Sequence, residues 1–117
     1  MNPGDVCWVE FPYGAGRVQA GRRPAIVVQS MAASTALPTV LVIPLTTQQD
    51  ALRFPGTVLV EPDQVNRLRR PSVALAFQMT TIDSRFLSAS DGRAADATMD
   101  AIWAAFDDIT RPNPVRS

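Results

Sequence analysis

Gly21-Arg22-Arg23-Pro24-Ala25-Ile26-Val27-Val28-Gln29-Ser30 decides the fold, and Pro44-Leu45-Thr46-Thr47-Gln48 echoes it further along the chain. In each stretch an apolar run of strand length meets polar groups at one end. The runs, Ala25–Ser30 and Thr39–Leu45, are rich in Val and Ile and bounded by Gly, Pro or polar residues. Their apolar positions are successive rather than alternating. That predicts strands covered on both faces, by a barrel core on one side and a helix or partner subunit on the other. Arg22 and Arg23 enter the first strand, and Thr46 and Thr47 leave the second. A guanidinium offers five fixed donors that match a phosphate bidentately, and a threonine hydroxyl donates or accepts beside it. Strand ends form the rim of a rigid sheet, where binding sites are commonly built.

Working outward, Asp5–Phe11 reads as a strand before the first run, and Thr57–Val60 as one after the second. Ser72–Phe77 and Gln78–Ile82 complete the β portion, open to reading as one bent strand. The stretch between Ser30 and Thr39 reads as a small-residue linker, and Pro12–Gly21 as a glycine-bearing loop, mobile by composition. Short strands at this spacing predict a small barrel or sandwich. The period then changes. Met99, Ile102, Trp103, Phe106 and Ile109 fall at helical spacing, so a helix over about residues 94–109 should lay this stripe on the core. Asp107 and Asp108 stand at the end that the helix dipole disfavours for anions, which leaves them for solubility or a partner. Arg111-Pro112-Asn113-Pro114 ends the helix and leaves a short tail over 111–117.

Composition narrows the chemistry. The 117 residues make one domain, 46% apolar, with no membrane-length apolar run and no signal segment, so a cytoplasmic location is the expectation. Net charge is zero, but residues 1–93 carry nine Arg against seven acids, and 94–117 two against four. The sheet-forming part is therefore mildly basic. Histidine and lysine are absent, and Cys7 stands alone in an apolar run. That inventory excludes Ser-His and Cys-His nucleophilic pairs, lysine phosphate loops, and zinc sites built on His or several Cys. The acids are scattered rather than set at ligand spacing, so neither a metal nor any other cofactor is expected.

Gly4-Asp5-Val6-Cys7-Trp8-Val9, the Gly-rich loop, Gln19-Ala20-Gly21-Arg22-Arg23-Pro24-Ala25-Ile26-Val27-Val28, Pro44-Leu45-Thr46-Thr47-Gln48 and Gln78-Met79-Thr80-Thr81-Ile82-Asp83 come in the order of the MazF/PemK toxin family. The chain resembles that family over roughly residues 3–110. The resemblance implies a mainly β (α+β) fold, an SH3-like, CcdB-like β-barrel with a C-terminal α-helix, in a homodimer. It also implies a sequence-specific, metal-independent endoribonuclease acting on single-stranded RNA and neutralised by a cognate antitoxin. In that chemistry the 2′-hydroxyl attacks the adjacent phosphate, leaving a 2′,3′-cyclic phosphate and a 5′-hydroxyl. Arg23 matches the family's catalytic arginine and Thr46 its catalytic threonine. Arg23 would stabilise developing charge, since guanidinium stays protonated and cannot serve as a base. Thr46 would orient the phosphate or the 2′-hydroxyl. Around them Arg17, Gln19, Arg22, Thr47, Gln48, Phe77 and Gln78 are the expected substrate contacts.

The chain also departs from the family pattern. Val18 stands where many relatives have Glu, and Arg17 where some have His or Ser. Phe77 replaces the acid before the later glutamine, and Leu75 replaces the arginine paired with it, so the acid–base version of the mechanism does not carry over. Asp5, Glu10 and Asp83 are the acids nearest in sequence, and none stands out as the base. Two readings of Phe77 stand open, stacking on an RNA base or burial in the barrel. Arg67, Arg69 and Arg70 form the densest basic cluster, either tracking an RNA backbone or ending a solvated turn before Pro71. Two rival functions remain: a degenerate homologue that binds RNA or a protein without cutting, and a gyrase-poisoning toxin of the same fold. The second acts through a C-terminal Trp-Gly-Ile, whereas this chain ends Pro114-Val115-Arg116-Ser117.

Overall fold

The computed structural model describes residues 1–11 and 21–111. Seven strands form one strongly curled sheet, a half-barrel, in the order β4-β5-β3-β2-β1-β7, with β6 also on β3. They are β1 (Asp5–Phe11), β2 (Gly21–Val27), β3 (Thr39–Thr46), β4 (Thr57–Val60), β5 (Ser72–Leu75), β6 (Thr80–Asp83) and β7 (Gly92–Arg93). Two helices accompany them, α1 (Met31–Ala36) and α2 (Asp96–Thr110).

Both sides of the sheet are apolar, as the unbroken Val/Ile runs require. On one side Val6, Ile26, Val28, Ile43, Leu45 and Ala74 pack with Ile102, Met99 and Phe106 of α2. On the other, Cys7, Val9, Phe11, Ala25, Val27, Val40, Val42 and Ile82 form a second cluster, flanked by Leu87. Burial, with Asp5 as a lesser cause, pushes the Cys7 thiol up to about 11, in keeping with a small core residue.

Four details differ from the sequence expectations. β2 begins at Gly21 and ends at Val27, so Arg22, Arg23 and Pro24 lie within the strand, paired with Glu10, Val9 and Trp8 of β1. The expected linker contains α1, whose first turn is capped by the Ser30 hydroxyl accepting from the Ala33 N–H. Gln29 fastens that segment: its amide donates to the Thr39 carbonyl and the Ser34 hydroxyl and accepts from the Leu41 N–H. The stripe of α2 is only partly core. Ile102 is fully buried, while Trp103, one residue round the helix, is 40% exposed. Asp107 pairs with Arg111 at 3.3 Å on that outer surface.

The fourth difference concerns β5 and β6. Both run antiparallel to β3, but at Leu45↔Ala74 and then at Val42↔Thr80. Between those pairs one strand advances three residues and the other six, and the surplus is a 3-10 turn at Ala76–Gln78. The bent strand is thus two strands around a bulge, and the bulge carries Phe77 and Gln78. The tail beyond Arg111 and the loop over 12–20 lie outside the described residues.

Candidate active-site cleft

A proline opens the site. The ladder between β2 and β3 runs Val27↔Val42, Ile26↔Ile43, Ala25↔Pro44 and then stops. Pro24, in the hydrogen-bonding phase set by the Val28 N–H on the Leu41 carbonyl, lacks the N–H that would extend it. Beyond that point β2 stays with β1, and β3 turns to β5 through Leu45↔Ala74 and Thr46↔Val73. The sheet forks. Continued by two residues, the same register sets Arg23 across from Thr46 on the face of Ala25 and Pro44.

A cleft of ≈ 160 Å³ lies beside this fork, walled by Phe11, Arg23, Pro44, Thr46, Gln48, Ala51, Phe54, Leu75, Phe77 and Gln78. Arg23 and Thr46 are both half-buried. The Thr46 hydroxyl accepts from the Gln48 N–H at 3.2 Å, which fixes the oxygen and leaves its own proton to donate outward. Among the described residues Arg23 has no carboxylate within ion-pair distance. A second depression through the fork is walled by Gly21, Arg22, Arg23, Pro24, Leu45, Thr46, Thr47 and Gln48.

Of the residues singled out from sequence, Arg23, Thr46, Gln48, Phe77 and Gln78 converge on the cleft. Arg22 and Thr47 line the fork beside it, with Arg22 stacked over the Trp8 ring at 5.2 Å. Arg17 and Gln19 lie outside the described residues, as does Val18. Phe77 is 40% exposed, not buried in the barrel. Its ring meets Phe54 at 5.8 Å and 58°, and Arg53 lies over Phe54 at 4.7 Å. Phe54 was not singled out from sequence, and the cue was an aromatic residue before the Pro55-Gly56 turn. Gly56 holds φ +74°, and a Cβ there would approach Ile109 to 2.9 Å and the Phe77 Cβ to 3.3 Å. The Phe77 N–H donates to the Gly56 carbonyl, so this turn sets the aromatic wall.

None of the chain's eleven acids lines the cleft or the fork. Asp5 pairs with Arg93 at 3.6 Å, and Glu10 faces a separate depression with Arg22 and Phe86. Asp83 takes the Arg85 backbone N–H and then its side chain, which hold its carboxyl below the usual range. No group of three or more potential metal ligands occurs among the described residues.

The model of the family described as PemK-like, MazF-like toxin of type II toxin-antitoxin system matches residues 2–110. The chain belongs to this family. Among its relatives is Endoribonuclease EndoA of Bacillus subtilis, 29% identical over 102 residues and 87% of each chain. Endoribonuclease MazF of Staphylococcus saprophyticus is 27% identical over 117 residues, covering 100% of this chain and 97% of the relative. The crystal structure of MazF from Deinococcus radiodurans matches with a TM-score of 0.77 at 23% identity, over 93% of this chain and 94% of that one. An endoribonuclease solved with its cognate antitoxin, from a mycobacterial species, matches at 0.73 and 21% identity, over 96% and 99%. These structures share the toxin's fold.

Proposed function

We propose that this toxin is a metal-independent endoribonuclease that cuts single-stranded RNA at short sequences. The 2′-hydroxyl attacks the adjacent phosphate, the 2′-oxygen–phosphorus bond forms, and the bond to the 5′-oxygen breaks. A 2′,3′-cyclic phosphate and a 5′-hydroxyl remain. The single observation that carries this reading is the meeting on one cleft of a fixed Thr46 hydroxyl and Arg23, which has no carboxylate partner among the described residues. The names of the curated relatives support it as well.

Arg23 stabilises the charge that builds on the phosphorane oxygens, and Thr46 orients the phosphate. Fixed donors of this kind are worth ~3–4 kcal/mol each in a partly dry site. The 2′-hydroxyl proton leaves to water or hydroxide, and the 5′-oxygen takes one from solvent, since no carboxylate lines the cleft. Phe54 and Phe77 hold a base by stacking, worth ~1–3 kcal/mol in single-strand binding. Gln48, Gln78 and Thr47 supply amide and hydroxyl contacts, and Arg17, Gln19 and Arg22 are further substrate contacts in this reading. The toxin acts in the cytoplasm as a homodimer, and a cognate antitoxin silences it by covering this surface. No helix among the described residues is long and apolar enough to cross a membrane.

Phe77, in the place of the family's acid, favours a second reading in which the chain binds RNA without cutting. Incubating the protein with a long single-stranded RNA in EDTA and mapping the new ends separates the two. The enzyme reading expects discrete cuts whose 5′ ends accept phosphate from a polynucleotide kinase without prior dephosphorylation. An intact RNA that remains bound would favour the second reading.

A further inference from the structure

Nine arginines lie among the described residues, and their surroundings divide them. Arg85, Arg93 and Arg111 pair with Asp83, Asp5 and Asp107 at 3.1, 3.6 and 3.3 Å. Arg22 and Arg53 lie over the rings of Trp8 and Phe54. The other four, Arg23, Arg67, Arg69 and Arg70, have neither a carboxylate nor a ring partner among the described residues. All four line neighbouring depressions that share walls.

The cleft shares Arg23, Thr46 and Gln48 with the depression at the fork, whose walls also include Pro24 and Thr47. Pro24 and Thr47 are also walls of a groove of ≈ 410 Å³, which has Val6, Trp8 and Leu68 beside Arg67, Arg69 and Arg70. Trp8 pairs with Pro24 across β1 and β2, one residue out of phase with Arg23, so the groove opens on the opposite face of the sheet. A shallow depression of Thr47, Gln48, Gln49, Arg70 and Pro71 shares Thr47 and Gln48 with the fork and Thr47 and Arg70 with the groove.

The arginine segment is held firmly. Asn66, 2% exposed, accepts from the Asp63 and Leu68 N–H groups and donates to the Glu61 carbonyl. Asp63 accepts in turn from the N–H groups of Val65 and Asn66. Arg67 sits at φ 63°, a left-handed conformation that this local network maintains. Asp91 is the one acid on the groove wall.

Three exposed cations on a rigid segment, with an apolar floor beneath them, fit a polyanion carrying flat apolar groups. Walls shared with the fork beside the cleft proposed to hold the scissile phosphate make that polyanion the same strand. We propose that the groove is a second subsite for single-stranded RNA, in which Arg67, Arg69 and Arg70 bind phosphates flanking the scissile one and Trp8, Pro24 and Leu68 receive bases. The inference rests on the ribonuclease reading of the cleft.

Two oligonucleotides containing a mapped cut site test it, each with a 2′-deoxy residue at the scissile nucleotide. One ends beside the site and the other extends about six nucleotides on either side, roughly the span of a single-strand binding site. The parent protein should bind the longer one at least about tenfold more tightly, with a salt slope steeper by about 0.7 per added phosphate contact. In Arg67→Ala and in the Arg69→Ala/Arg70→Ala double variant that length advantage should collapse to under about twofold. Arg111→Ala, on the end of α2, should keep it. A parent that cuts RNA yet binds both lengths equally would overturn the subsite. Equal binding of the lengths, together with arginine-dependent binding of a poly-glutamate peptide, would overturn it in favour of an acidic protein partner. A parent that neither cuts nor binds RNA refutes the ribonuclease reading, and the subsite with it.

Discussion

Arg23 and Thr46 gain their chemistry from where the backbone leaves them. A guanidinium without a carboxylate keeps its full charge for a phosphate, and a hydroxyl already accepting one N–H has its proton directed away from it. With no histidine in the chain and no acid on the cleft, the described residues offer no side chain there that ordinarily titrates near neutrality. Under single-turnover conditions log rate should therefore rise with pH across about 5 to 8 with no break from a protein group. A bell-shaped profile in that range would mean that a base from the partner subunit or elsewhere completes the site. Phe54→Ala and Phe77→Ala should each raise KM by about tenfold, the low end of ~1–3 kcal/mol for a stacked base, with a smaller effect on kcat. Leucine at Phe77 should not restore the parent KM, whereas tyrosine should. Steady-state cleavage of a labelled oligonucleotide measures both. Arg23, Thr46, Gln48 and Gln78 were legible in the sequence because they sit in ordered motifs. Phe54 was not, because its value comes from meeting Phe77 across a bulge that no local pattern announces.

The fork is the element that turns two ordinary strands into a site. Pro24 is visible in the sequence, yet its effect depends on register, which turns its backbone nitrogen toward Leu45 of β3. Pro24→Val restores that N–H and lets the ladder run on toward Arg23 and Thr46. Thermal stability should hold or rise while cleavage falls by up to about 10²-fold, the cost of moving reacting groups by roughly 1 Å. Parent-level cleavage in that variant would show that Pro24 does not set the opening. Asn66 is the matching element on the other face. Asn66→Ala removes three hydrogen bonds from a buried position and should cost about 3 kcal/mol in urea unfolding. A change below about 1 kcal/mol would mean that the arginine segment is held by other contacts. Neither α1 nor the bulge was legible. The helix is six residues long and buries none of them, so it leaves no apolar stripe to read. The bulge breaks a strand whose apolar residues continue through it.

Across the molecule, the mainly β class, the C-terminal helix and the order of the main strands follow from hydrophobic runs and punctuation, because those are local properties. The curl and the fork are properties of the whole sheet, and they became visible only with the pairing register in hand. That register puts the family's two motifs on neighbouring strands, with four arginines that have no carboxylate or ring partner among the described residues on the adjoining depressions. The central claim is that Arg23 and Thr46 act together on one phosphate. Single-turnover cleavage in EDTA by the parent, Arg23→Ala, Thr46→Ala and the double variant measures this directly. Each single change should slow cleavage by about 10²–10³-fold, and the double should fall far short of the product of the two. Parent-rate cleavage by either single variant, or fully multiplicative losses in the double, would contradict it.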